Sequence, residues 1–133
     1  MTGSVRTIGP RESVGHARSL LEQFRINQLP VVEDGRLVGI VTERDLRAAF
    51  PNVDEAEMRP EHEGVPSPDR IPIETVMTRE VVVLYPGNTV EEAARLMRTR
   101  RIGAIPIVEG GRVVGVLTRG DVIDAFLAQA GKQ

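Results

Sequence analysis

Two pairs of residues have a spacing that could do local chemistry. Thr42 precedes Asp45 by three positions, and Thr118 precedes Asp121 by the same interval. A hydroxyl followed at that interval by a carboxylate, where a helical stretch begins, is a capping box. The hydroxyl accepts from one free backbone amide and the carboxylate reaches back to another. Each cap contributes about 1 kcal/mol. A helix start also offers free amides and a favourable dipole to phosphate. Arg44 and Arg119 lie inside the two motifs, so each has a cation at hand. Arg119 follows its cap directly and Arg44 comes one residue later, so the two need not point alike.

Other chemistries lack their residues. The chain has no cysteine, which removes disulfides, thiol catalysis and cysteine metal sites. The absence also fits a reducing cytoplasm. His16 and His62 are the only histidines and stand far apart, with no ligand cluster around them. No nucleophile, base and orienting group come together, and neither a Gly-x-Gly-x-x-Gly nor a Walker A pattern is present. The expectation is a protein without enzymatic activity, metal or required cofactor. Arg95, Arg98 and Arg101 have the spacing of one helix face. No aromatic residue is interleaved with them for base stacking, which argues against nucleic acid. The net charge of −2 gives no general attraction to nucleic acid or anionic membrane. The longest apolar runs are about five residues, whereas a membrane helix needs about 20. The N-terminus has no apolar signal region.

These motifs need elements to carry them, and the chain supplies the same elements twice. Met1–Phe50 lies on Met77–Phe126 without a gap. Each copy reads β-α-β-β-α. A short β segment comes first, Ser4–Ile8 and then Val81–Leu84. A helix follows from a hydroxyl cap, Ser13 or Thr89. Its apolar residues recur at helical spacing: Val14, Ala17, Leu20, Leu21 and Phe24, then Val90, Ala93, Ala94, Leu96 and Met97. Thr89 and Glu92 have capping-box spacing, while His16 stands where the first copy would need a carboxylate. Next comes a hairpin. Val31–Glu33 and Arg36–Val41 flank Asp34-Gly35, and Ile107–Glu109 and Arg112–Leu117 flank Gly110-Gly111. Thr42 and Thr118 then open the second helices. The first stops at Pro51, and the second runs to about Ala130 before Gly131. Pro51–Arg70 breaks the pattern with four prolines and an acidic run, so an exposed linker is expected there. Ile71–Val76 is expected to form a short turn or helix. The expected class is α/β (α+β), with repeats at 1–50 and 71–133 joined by a linker at 51–70. Two such units would pack about a pseudo-twofold axis with a ligand cleft between them.

The chain resembles a pair of CBS domains, a Bateman module. The resemblance rests on Val76-Met77-Thr78, Ile105-Pro106-Ile107-Val108 and Val114-Gly115-Val116-Leu117-Thr118-x-x-Asp121. Their partners are Met1-Thr2, Leu29-Pro30-Val31-Val32 and Val38-Gly39-Ile40-Val41-Thr42-x-x-Asp45. The resemblance implies that each Asp grips the ribose diol of an adenosine ligand while its Thr lies near the phosphates. Two adjacent hydroxyls suit a carboxylate acceptor, and each bond to a charged group contributes about 1.5–3 kcal/mol. It also implies that Thr78 faces Asp45 and that Thr2 faces Asp121. Family members that bind adenosine phosphates often carry His, Arg or Lys just before the Pro. Here those positions are Asn27-Gln28 and Gly103-Ala104, which leaves Arg44 and Arg119 as the cations to compensate.

The resemblance therefore implies a cytoplasmic regulatory module that senses AMP, ADP, ATP or S-adenosylmethionine in its cleft. The expected site residues are Thr2, Thr42, Arg44, Asp45, Thr78, Thr118, Arg119 and Asp121. An alternative is a structural module that forms a homodimer through its helices and docks to a regulated protein without nucleotide.

Overall fold

The computed structural model describes residues 6–49 and 67–130. Thr2, Phe50, Pro51, His62, Gly131 and most of the expected linker lie outside those residues. The described residues form α1 (Val14–Phe24), β1 (Gln28–Glu33), β2 (Arg36–Thr42) and α2 (Glu43–Ala49). After two 3-10 turns, Pro68–Arg70 and Ile73–Thr75, come α3 (Val90–Arg100), β3 (Ala104–Glu109), β4 (Arg112–Thr118) and α4 (Arg119–Ala130). The helix-strand-strand-helix order occurs twice, and each hairpin is a two-stranded antiparallel sheet in an α+β fold.

The hairpin turns follow from their residues. Asp34 and Gly35 adopt φ of 53° and 80°, and Gly110 and Gly111 adopt 61° and 83°. Positive φ at both central residues is the tight turn whose twist matches paired strands. Between β3 and β4, Ile107 pairs with Gly115 and Val108 with Val113, so Val114 is the extra residue of a bulge.

The leading β segments were expected at Ser4–Ile8 and Val81–Leu84, of which Ser4 and Val5 lie outside the described residues. Among the described residues each makes a single parallel bridge, Ile8 to Val31 and Leu84 to Ile107. Conversely, β1 starts earlier than expected, at Gln28, and runs through Pro30. Pro30 can stand in a strand because it is needed there only as an acceptor. Its carbonyl takes the Ile8 amide at 3.0 Å, and the Pro106 carbonyl takes the Leu84 amide at 2.9 Å.

Two compact units emerge, and they do not follow the repeat. Among the described residues, 6–34, 38–49 and 67–81 make the first, while 35–37 and 82–130 make the second. The core of the first holds Val14, Ala17 and Leu21 of α1, Leu29 and Val31 of β1, Val41, Leu46 and Ile8. Ile73, with no exposed surface, completes it. The core of the second holds Leu84, Ala93, Met97, Ile105, Ile107 and Val122. Val90 was expected on the apolar stripe of α3 but is 37% exposed.

The segment before Met77 is therefore part of the first unit. Residues 67–70 were expected to belong to an exposed linker, yet they form a 3-10 turn with Pro68 buried. The Ile71 carbonyl accepts from the Val14 amide at 2.8 Å, and the Glu12 carbonyl accepts from the Ile73 amide at 2.8 Å. Gly15 leaves room for the exposed Asp69 side chain. A Cβ there would lie 2.1 Å from Asp69 Oδ1.

Candidate functional site

Thr42 and Asp45 fold as their spacing predicts. The Asp45 amide donates to Thr42 Oγ1 at 3.0 Å, and the Thr42 amide donates to Asp45 Oδ2 at 3.0 Å. Thr118 and Asp121 repeat this at 3.1 and 2.8 Å. Both reciprocal boxes are complete. At α3 the Thr89 hydroxyl accepts from the Glu92 amide at 3.1 Å. The Glu92 carboxylate meets the Asn88 side-chain amide, a nearer donor than the expected reach back to Thr89. At α1 Ser13 caps by accepting from the His16 amide at 3.0 Å, and His16 pairs with Glu12 at 3.3 Å.

Thr78 reaches the first box from outside it. The Thr78 amide and carbonyl pair with Ile40 of β2 at 2.8 and 2.9 Å. That bridge sets the hydroxyl over the carboxylate, where it donates toward Asp45 Oδ1 at 3.2 Å and Oδ2 at 3.3 Å. Gly39 lets the segment come so close. A Cβ at Gly39 would stand 2.6 Å from Met77 Sδ and 3.0 Å from the Thr78 carbonyl. Thr42, Asp45 and Thr78 thus form one cluster within the first unit. Asp45 is half-buried and Thr78 exposed, so the carboxylate keeps lone pairs for further donors.

In the second unit the box stands on Thr118 and Asp121, while Thr2, expected to face it, lies outside the described residues. Burial acts to raise the Asp121 carboxyl. Hydrogen bonds from the Thr118 amide and hydroxyl act the other way, and the carboxyl lies below its ordinary value. Arg44 and Arg119 are both exposed. An Arg119 guanidinium nitrogen lies 3.8 Å from where a Gly103 Cβ would be, an ordinary contact distance that puts Arg119 beside the start of β3. Residue spacing alone missed the role of Gly39. Its signal was present in the sequence as a glycine inside the strand that leads to the motif.

The expected arginine face is not formed as drawn. Arg101 is not on a helix face but is the left-handed cap of α3, with φ of 55°. Arg95 pairs with Glu91 at 3.1 Å, one turn earlier. Among the described residues no cluster of His, Asp and Glu could hold a metal, and no helix is long and apolar enough to cross a membrane.

A twice-built helix-hairpin-helix unit, with a Thr-x-x-Asp box closing each hairpin, defines an α+β repeat module. The model of the CBS domain matches residues 1–52 and 73–128, and the chain belongs to that family as a tandem pair. The CBS domain-containing protein YhcV of Bacillus subtilis is 32% identical over 122 residues, covering 92% of this chain and 79% of its own length. Inosine-5'-monophosphate dehydrogenase of Staphylococcus saprophyticus is 34% identical over 117 residues. That match takes in 85% of this chain but only 20% of the enzyme. Among solved structures, CBSX2 in complex with AMP superposes with a TM-score of 0.76 at 29% identity, covering 95% of this chain and 90% of that one. The CBS domain pair of MJ0100, solved with 5-methylthioadenosine and S-adenosyl-L-methionine, gives 0.73 at 29% identity, with coverage of 94% and 93%.

Proposed function

We propose that this CBS pair is a regulatory module that binds an adenosine-containing nucleotide at Thr42, Asp45 and Thr78. One observation carries the reading. A half-buried carboxylate is held from two sides by the Thr42 amide and the Thr78 hydroxyl, with acceptor capacity to spare. The related pairs solved with AMP and with S-adenosyl-L-methionine indicate the ligand class. Asp45 accepts from the two ribose hydroxyls. Thr42 and Thr78 orient the carboxylate, and Arg44 supplies a solvent-facing cation for phosphate. Thr118, Asp121 and Arg119, with Thr2, form a second position of different affinity. No cofactor is required, and the nucleotide is the signal itself. Binding regulates by favouring one of two states for which the ligand has different affinity. The setting is cytoplasmic, where such nucleotides are plentiful.

Thermal unfolding with AMP, ADP, ATP and S-adenosylmethionine, with and without Mg2+, tests the reading. A ligand at a hundred times its dissociation constant adds about 2.7 kcal/mol, which raises the midpoint by several degrees. If millimolar amounts of every member of the panel leave the midpoint unmoved, the nucleotide reading falls.

A second reading has its own support. On α4, Ile123, Phe126 and Leu127 are 52%, 46% and 65% exposed. Their spacing places them on one face of the helix. Homodimerisation through the helices, or docking to a regulated protein, would cover them. Light scattering of wild type and of Phe126→Glu distinguishes this reading. A chain that is monomeric in both forms removes the homodimer.

A further inference from the structure

The chain has four methionines, of which Met1 and Met58 lie outside the described residues. The other two sit differently. Met97 belongs to the core of the second unit and is 5% exposed. Met77 is half-buried and packs against the edge of the first unit's core.

The Met77 thioether covers a bare stretch of β2. Its Sδ lies 2.6 Å, and its Cγ 3.1 Å, from where a Cβ on the buried Gly39 would stand. The Met77 amide donates to the Ile73 carbonyl at 2.9 Å. Thr78, next in the chain, exchanges two backbone hydrogen bonds with Ile40, the neighbour of Gly39. The side chain of Met77 and the backbone of Thr78 thus grip consecutive residues of one strand. What displaces the first loosens the second.

We propose that Met77 is a site of reversible oxidation by hydrogen peroxide, and that its sulfoxide releases the Thr78 segment from β2. The sulfur donates an electron pair to one peroxide oxygen as the O–O bond breaks. That oxygen becomes the sulfoxide oxygen, and the other leaves as water with both protons. Sulfur is oxidised by two electrons and peroxide is reduced by two. Half-burial lets a small oxidant reach Met77 in the folded chain, while Met97 is shielded. The product is polar where the thioether was apolar. Packed against apolar side chains it lacks a hydrogen-bond partner, so it turns outward to water and uncovers Gly39. Sulfoxide reductases restore the thioether. The proposal does not depend on the nucleotide reading, because Thr78 meets Asp45 without a ligand.

Peroxide treatment of the folded full chain tests this, followed by peptide mass mapping and amide hydrogen exchange. Wild type is compared with Met77→Leu, which keeps an apolar side chain of similar volume and removes the sulfur. Met77 should take up one oxygen well before Met97. Exchange at the Thr78 and Ile40 amides should then quicken about tenfold, the cost of one lost hydrogen bond. Treatment with reductases for both sulfoxide epimers should restore the slow exchange. Met77→Leu should exchange alike before and after peroxide. If Met97 is oxidised as fast as Met77, the fold does not single out Met77 and the proposal falls. It falls as well if oxidised wild type keeps its slow exchange. The same acceleration in Met77→Leu would trace the effect to another methionine and overturn it.

Discussion

The Thr78 hydroxyl meets both oxygens of Asp45, at 3.2 and 3.3 Å, across 33 residues of sequence. Asp45 already serves the Thr42 amide at 3.0 Å. The carboxylate therefore ties the start of α2 to the segment that carries Thr78. Asp45→Ala removes the reach-back half of the cap and leaves Thr78 without its acceptor. It should cost about 1–2 kcal/mol of stability in urea unfolding. Thr78→Val should cost less, because the Thr42–Asp45 box survives. Equal losses would show that the two contacts do not act separately.

Gly15→Ala separates sterics from helix propensity. Alanine is favoured over glycine inside a helix by about 1 kcal/mol. Here the new methyl would meet Asp69 Oδ1 at 2.1 Å, the end of an exposed side chain that can swing aside, so the clash should offset part of that gain without reversing it. With Asp69→Ala in the same chain, the full gain should appear. A double-mutant cycle by chemical denaturation measures the coupling. Additive effects would mean that Asp69 is not what constrains Gly15.

Arg25 and Arg101 close α1 and α3 with φ of 53° and 55°. A non-glycine residue in that region costs roughly 1–2 kcal/mol, partly offset by the freedom glycine has when unfolded. Arg25→Gly and Arg101→Gly should each leave the protein more stable, by about 0.5–1 kcal/mol. Ala at the same positions should give no gain, since it keeps the Cβ. Thermal unfolding of the four variants decides it.

Asp121 gives the protein an acid dependence of known sign. Despite burial, hydrogen bonding from Thr118 acts to hold its carboxyl below the ordinary value. A depressed folded value contributes stability that is present above the unfolded value, about 3.9, and is lost as pH falls through the folded one. Asp121→Asn should therefore be less stable than wild type at neutral pH, and the gap should close below about pH 4. Denaturant titrations between neutral pH and about pH 3 follow the gap. A constant difference into acid would show that the charge is not responsible.

The sequence was most legible where an interaction is local. Both Thr-x-x-Asp boxes and both hairpin turns join residues two or three apart, and each type dictates a geometry. Thr78 beside Asp45 was expected from family resemblance, because nothing in the spacing of two distant residues selects that pair. Arg25 and Arg101 hid the helix ends, since arginine is a good helix former and neither residue signals a left-handed cap. Counting Arg101 with Arg95 and Arg98 followed from the same oversight. The strand through Pro30 was missed because proline reads as a breaker, although an acceptor-only position suits it.

Ile73 and Thr78 stand, by sequence, where the second copy opens, yet both are built into the first unit. The duplicated length of chain and the self-sufficient length are out of step. A tailor who cut at the seam between copies would leave one piece with a hole in its lining where Ile73 belongs, and would carry off the hydroxyl that meets Asp45. Neither copy could be inherited, lost or transplanted alone without taking a borrowed hem from its neighbour. For this molecule the unit that can be moved intact is the pair.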